Sequence, residues 1–193
     1  MRRLLNLKWR LLPLAVALVI LSIPVVENIW TRHQIADASN QARTKLQTSS
    51  KVAPLQGSPS RILIPSLSID LPVISQSYST TTKTWPVESG VANYATETAL
   101  INNYHGQSLI YGHSTRAVFG KLLDIKPGAE VFVYTSNGRL FEYAYSGSQD
   151  VTPRQTEIVA DMTKAPAGLK MMTCDGPYFE YRRLMSFKLI KSA

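Results

Sequence analysis

Residues 130–145 read EVFVYTSNGRLFEYAY: Glu130-Val131-Phe132-Val133-Tyr134, a turn through Ser136-Asn137-Gly138, and Leu140-Phe141-Glu142-Tyr143-Ala144-Tyr145. Both flanks are rich in β-branched and aromatic residues, and Asn-Gly between two such runs is a strong hairpin signal. The same grammar recurs on either side. Upstream stand Arg61-Ile62-Leu63-Ile64, the run Ser66 to Ile74, and Leu109-Ile110-Tyr111. Pro65 and Pro72 confine the first two to strand ends or sheet edges. Downstream come Leu169-Lys170-Met171-Met172-Thr173 and Arg183 to Ile190. Helical periodicity is limited to 117–123 and a turn around 157–162. Many short strands with turn residues between them predict an all-β barrel or sandwich of about 130 residues.

Composition narrows the class. The chain has 193 residues, 45% hydrophobic and 18% charged, which is too apolar for intrinsic disorder. One cysteine excludes an intramolecular disulfide framework and a Cys-based structural zinc site. The length holds one ordinary domain and a further segment. Lys and Arg exceed Asp and Glu by 8, but residues 1–50 carry seven basic and two acidic residues, so most of the excess sits there. Beyond residue 50 the basic residues are scattered, apart from Arg182-Arg183. No stripe of the kind that tracks phosphates is present, so nucleic acid is not an expected partner.

Arg2, Arg3, Lys8 and Arg10 precede the uncharged run Leu11 to Val26, LLPLAVALVILSIPVV. Basic residues on one side of an apolar stretch keep that side in the cytoplasm. Trp9 and Trp30 bracket the run, and a helix between them covers about 33 Å, enough for a hydrocarbon core of about 30 Å. The only small-x-small cleavage site in range, Ala36-Asp37-Ala38, lies far past the run, which favours an uncleaved anchor over a signal peptide. The expected organisation is a cytoplasmic basic N-terminus at 1–10, a transmembrane anchor at 11–30, an extracytoplasmic stalk at 31–59 and the β domain at 60–193. Within the stalk, Ile35, Ala38, Ala42 and Leu46 have near-helical spacing.

A lone cysteine outside the cytoplasm is buried, paired between chains, or used. Cys174 ends an apolar strand directly before the turn Asp175-Gly176-Pro177. Strand ends beside loops are where a rigid scaffold presents side chains. His113 likewise ends the run Ser108-Leu109-Ile110-Tyr111-Gly112, and Arg182-Arg183 opens the strand after the turn. Thiol, imidazole and guanidinium suit acyl transfer: a thiolate attacks a carbonyl, an imidazole protonates the leaving amine, and a fixed cation stabilises the oxyanion. Asp175 is expected to point outward or into the turn. His105 and His33 are the other histidines, the first in a loop and the second in the stalk. Trp85-Pro86 and Tyr178-Phe179 read most simply as core or rim aromatics.

These residues carry a resemblance to the sortase family, the membrane-anchored cysteine transpeptidases of Gram-positive-type cell surfaces. The matching elements are Ile62-Leu63-Ile64-Pro65 with Ile69-Asp70-Leu71-Pro72-Val73, Tyr111-Gly112-His113, Phe119-Gly120, Lys126-Pro127-Gly128, Leu169 to Cys174, and Arg182 to Ile190. They occur in the family's order over roughly 60–190. The resemblance implies a closed eight-stranded β-barrel with short helices. It implies His113 as general acid/base, Cys174 as nucleophile and Arg182 as the residue that positions substrate and stabilises the oxyanion. Arg183 is the alternative arginine, since strand alternation lets only one of the pair face the cleft. Thr173, Tyr178 and Arg183 are candidate substrate contacts. The implied substrates are surface proteins with C-terminal LPXTG-like sorting signals, and the implied acceptor is an amine of peptidoglycan or of a pilin. No metal or organic cofactor follows. Two other readings are a non-catalytic anchored barrel that binds wall components and another wall-acting cysteine peptidase or transpeptidase. The chain has no Asp-Pro dipeptide, the core of the lid motif in pilin-polymerising relatives.

Overall fold

The hairpin forms as its residues dictate. β7 (Glu130–Thr135) and β8 (Leu140–Val151) pair antiparallel, joined by the four residues Ser136, Asn137, Gly138 and Arg139. Gly138 N donates to Thr135 O, Thr135 N donates to Arg139 O, and Gly138 sits at φ +79, a left-handed position that favours glycine. A computed structural model describes residues 29–48, 53–82, 84–153, 155 and 157–193.

From this hairpin the sheet extends both ways until it closes. β2 (Pro59–Ile64), β3 (Ile69–Gln76), β4 (Ala92–Ala95), β6 (Gln107–Tyr111), β9 (Gly168–Asp175) and β10 (Tyr181–Ser192) complete an eight-stranded barrel in the order β10-β8-β7-β2-β3-β4-β6-β9, with β9 pairing back onto β10. Two neighbouring pairs, β3 with β4 and β6 with β9, are parallel; the others are antiparallel. A small sheet of β1 (Gln56–Gly57) and β5 (Ile101–Asn102) stands apart. The short helices are a 3-10 turn at Pro65–Leu67, another at Gly120–Asp124, and α2 (Glu157–Lys164).

Alternation along each strand sorts side chains between the barrel interior and its outer face. Ile62, Ile64, Val131, Val133, Phe141, Tyr143, Leu169, Met171, Met185 and Phe187 meet inside. Their neighbours in sequence are buried too, because the outer face is covered in two places. Leu63, Phe132 and Leu140 pack under α1, the helix at residues 29–48, against Ile35, Ala42 and Leu46. Leu109, Tyr111, Val151, Met172 and Leu184 pack under Met162 of α2 and Trp85. Hence Ile62-Leu63-Ile64 and Val131-Phe132-Val133 are apolar without interruption: each of these strands is covered on both sides.

The expected anchor at 11–30 lies outside the described residues except for Ile29 and Trp30. Among the described residues no helix is long and apolar enough to cross a membrane. The segment read as a stalk is helical from 29 to 48 and does not stand free. Ile35, Ala38, Ala42 and Leu46 form the stripe that seats it, Arg43 Nη2 pairs with Glu130 Oε2 at 2.5 Å, and Lys45 Nζ donates to Gly138 O at 2.6 Å. The stalk reading missed this because a docking surface made of Leu63, Phe132 and Leu140 is invisible from the helix's own sequence. Leu46 is 1% exposed. Leu46→Ala is therefore expected to lower unfolding free energy by about 2–4 kcal/mol, the cost of a buried leucine with its residual cavity. Urea unfolding measures this; a free stalk would give no change.

Candidate active site

The parallel pairing of β6 and β9 decides where the chemistry-bearing residues fall. Tyr111 is in register with Met172, and continuing by two residues sets His113 level with Cys174. On the other side of β9, Cys174 is the register partner of Arg182. Imidazole, thiol and guanidinium therefore stand in one row across three adjacent strands.

Two bonds lace the strand ends that hold this row. Gly112 N donates to Met172 O at 3.1 Å, and the Thr173 hydroxyl donates to Gly112 O at 3.0 Å. Glycine is required at 112 by space: a Cβ there would lie 2.8 Å from Val118 Cγ1 and 3.1 Å from the Phe119 ring. After His113 the chain folds back so that Phe119 N donates to His113 O at 3.0 Å.

The row faces outward, on the same side as Tyr111, Met172 and Leu184, two residues away along their strands, and Leu109, four residues away. Together with Val151 these residues floor a cleft of about 460 Å³. One wall is α2, through Ile158, Val159 and Met162; the other is the loop carrying Tyr78, Thr84, Trp85 and Val87. His113, Cys174 and Arg182 are half-buried at its edge, and the thiol is free. The floor suits apolar peptide side chains, and the row suits attack on a carbonyl beside them.

The two arginines part by alternation. Arg182 lines the cleft, with Nη1 donating to Phe179 O at 2.8 Å and Tyr181 O at 3.0 Å. Arg183 leaves on the other face, where Nε pairs with Asp150 Oδ1 and Nη2 with Asp175 Oδ2, both at 2.6 Å. That pairing also accounts for Asp175, whose charge is met by Arg183 and whose Oδ1 accepts from Gly176 N. Thr173 borders the cleft, but its hydroxyl is bonded to Gly112 O. Tyr178 is 89% exposed on the loop after Cys174 and is not among the lining residues, nor is Arg183. His105 lies exposed before β6, and His33 is exposed on α1; neither lines the cleft.

Sequence reasoning missed the residue that fixes the second wall. Glu97 accepts from Tyr78 N at 2.6 Å and from Trp85 Nε1 at 2.8 Å, while Tyr78 packs edge-on against Trp85 with ring centroids 4.9 Å apart. Nothing in the spacing of 78, 85 and 97 signals this, because the contact joins two loops. Burial opposes ionisation of Glu97, but the bonds from Trp85, Tyr78 and Thr96 outweigh it and hold the carboxyl below its ordinary 4.5. A carboxyl depressed on folding contributes fully above its unfolded value and loses that contribution as pH falls through its folded value. Trp85 emission is expected to shift on acidification below about 4.5, and Glu97→Ala is expected to reproduce that shift at neutral pH. Spectra referenced to Trp85→Phe isolate the signal. Identical emission in wild type and Glu97→Ala would mean the wall is held otherwise.

A family model described as the Sortase domain matches residues 62–188. Sortase A of Bacillus anthracis is 32% identical over 117 residues, 59% of this chain and 50% of that protein, so the chain spans half the length of this relative. Among solved structures, sortase E1 of Streptomyces coelicolor, described with a tripeptide in its active site, superposes with TM-score 0.58 at 17% identity, covering 70% of this chain and 90% of that one. Sortase A of Listeria monocytogenes gives TM-score 0.56 at 20% identity, over 68% and 86% of the two chains. At these identities the structural likeness shows the fold.

Proposed function

The chain belongs to the sortase family, and from that premise we propose that it is a cysteine transpeptidase acting on LPXTG-like sorting signals. The observation that supports this most directly is the row of His113, Cys174 and Arg182 at one level of β6, β9 and β10, opening on a single cleft. In this reading the Cys174 thiolate attacks the carbonyl carbon of the signal's threonine. The developing oxyanion is met by Arg182, whose Nε and Nη2 have no hydrogen-bond partner among the described residues. His113 gives its proton to the departing amine, which leaves as the peptide bond breaks and a thioester remains on Cys174. An acceptor amine of peptidoglycan or a pilin then attacks the thioester. It loses a proton to His113, forms a new amide and releases Cys174 as the thiolate. Leu109, Val151, Met172 and Leu184 would receive the apolar leucine and proline of the signal.

The same reading places the protein in the cell membrane. Residues 11–30 are its single span, the basic N-terminus is cytoplasmic, and the barrel stands outside. The decisive experiment is mass spectrometry of the protein incubated with an LPXTG-type peptide and an amine. The expected result is an acyl adduct on Cys174 that the amine discharges as an amide. A peptide that binds in the cleft but leaves the thiol unmodified would instead favour a non-catalytic wall-binding barrel.

A further inference from the structure

The barrel has two unlike ends, and strand directions assign the row of His113, Cys174 and Arg182 to one of them. β2 runs into the Pro65–Leu67 turn. It is antiparallel to β3, which is parallel to β4; β4 is antiparallel to β6, which is parallel to β9. β6 and β9 therefore run the same way as β2, and His113 and Cys174 lie at the end that carries Pro65–Leu67. α1 points its N-terminal half to this end. Arg32, Ile35, Ala36 and Ser39 border a cavity of about 370 Å³ with Pro65, Ser66 and Ser68. Its C-terminal half reaches the opposite end, where Lys45 holds Gly138 in the β7–β8 hairpin.

On the anchor reading, the chain before α1 bears on what this end faces. Only Glu27 and Asn28 separate Val26, the last residue of the apolar run, from Ile29. Three residue steps span at most about 11 Å of extended chain, so the first turn of α1 cannot lie far from the hydrocarbon edge, whatever the conformation between. Ile29 and Trp30 are 50% and 66% exposed, and indole rings favour the interface. The same end carries Tyr178 and Phe179, 89% and 60% exposed on the loop after Cys174, with Phe179 held at φ +57. Arg116, Lys121 and Lys126 lie in the connecting segments at this end, as do Asp124 and Glu180.

From this placement we propose that the Cys174 end of the barrel faces the membrane entered by residues 11–30, with Tyr178 and Phe179 at the lipid headgroups. The inference rests on the anchor reading and adds an orientation to it. The docked α1 makes the orientation a property of the fold, because helix and barrel share the packing of Ile35, Ala42 and Leu46 on Leu63, Phe132 and Leu140. A thiol held in this way meets peptide segments close to the point where they leave the bilayer.

The test uses the full chain with Cys174→Ala, so that a single introduced cysteine can be labelled. Tyr178→Cys places an environment-sensitive fluorophore at the proposed membrane face, and Ser136→Cys places it on the opposite hairpin. Both sites are exposed, so neither change should disturb folding. Each labelled protein is reconstituted into phosphatidylcholine/phosphatidylglycerol vesicles containing a headgroup-quencher lipid. Strong quenching at 178 and little at 136 is expected, since the 17 steps from 29 to 46 set the two ends about 25 Å apart along α1. Equal quenching, stronger quenching at 136, or none at either site overturns the orientation. Flotation separates the two premises. A chain that fails to float with the vesicles refutes the anchor and the orientation with it, whereas a floating chain unquenched at 178 refutes the orientation alone.

Discussion

Cys174→Ala should abolish the thioester and lower peptide cleavage by about 10⁴-fold or more, as loss of a covalent nucleophile does. Folding stability should change little, because the side chain is half-buried at a cleft edge and not in the barrel interior. His113→Ala should fall to a similar background, since in the proposed mechanism the imidazole and the thiol act as a unit. The double variant should then be no worse than either single one. Steady-state kinetics on a sorting-signal peptide, with urea unfolding of each variant, measures both quantities. Full cleavage by Cys174→Ala would remove the transpeptidase reading, whatever the fold. Multiplicative losses in the double variant would mean that His113 and Cys174 act separately, despite standing level across β6 and β9.

The elements legible in the sequence were those with a local signature. β7 and β8 announced themselves by alternation around Asn137-Gly138, and β2, β3, β6, β9 and β10 by apolar runs bounded by turns. β4 did not, because Ala92-Asn93-Tyr94-Ala95 is buried at all four positions and shows no alternation. It also contains two alanines and an asparagine, which strands disfavour. Asn93 is accommodated there by bonds with the Glu88 backbone and Tyr111 O, partners that no spacing rule supplies. The second half of β8, Ser146 to Val151, is polar and reads as loop. It becomes strand because β10 pairs with it from Arg182 to Ser186.

The site divides in the same way. His113 and Cys174 were legible as candidates because each falls beside the end of an apolar strand run. The walls of the cleft were not, since α2, Trp85 and Glu97 acquire their place only when the barrel closes. The docked α1 belongs with the walls: its apolar stripe was visible, but the surface that receives it was not.

The choice between Arg182 and Arg183 rests on register alone, which makes the pair a sharp test. Both side chains are half-buried, and both follow the same loop. Register sets Arg182 opposite Cys174 and Arg183 opposite Thr173. A shift of one residue would exchange their faces, and with them any role in the chemistry. Arg182→Ala is therefore expected to lower kcat by about 10²–10³-fold, the usual cost of losing one oxyanion donor, with a smaller effect on folding. Arg182→Lys should recover only part of the loss, since an ammonium cannot hold the Phe179 and Tyr181 carbonyls and still present a planar fork to the oxyanion. Arg183→Ala should do the reverse. It breaks the pairs to Asp150 and Asp175, costing about 1 kcal/mol of stability at these partly exposed positions, and leaves kcat within a few-fold. The ratio of kcat loss to stability loss separates the two roles. A larger kcat loss in Arg183→Ala than in Arg182→Ala would show that the strand slips by one residue when substrate binds.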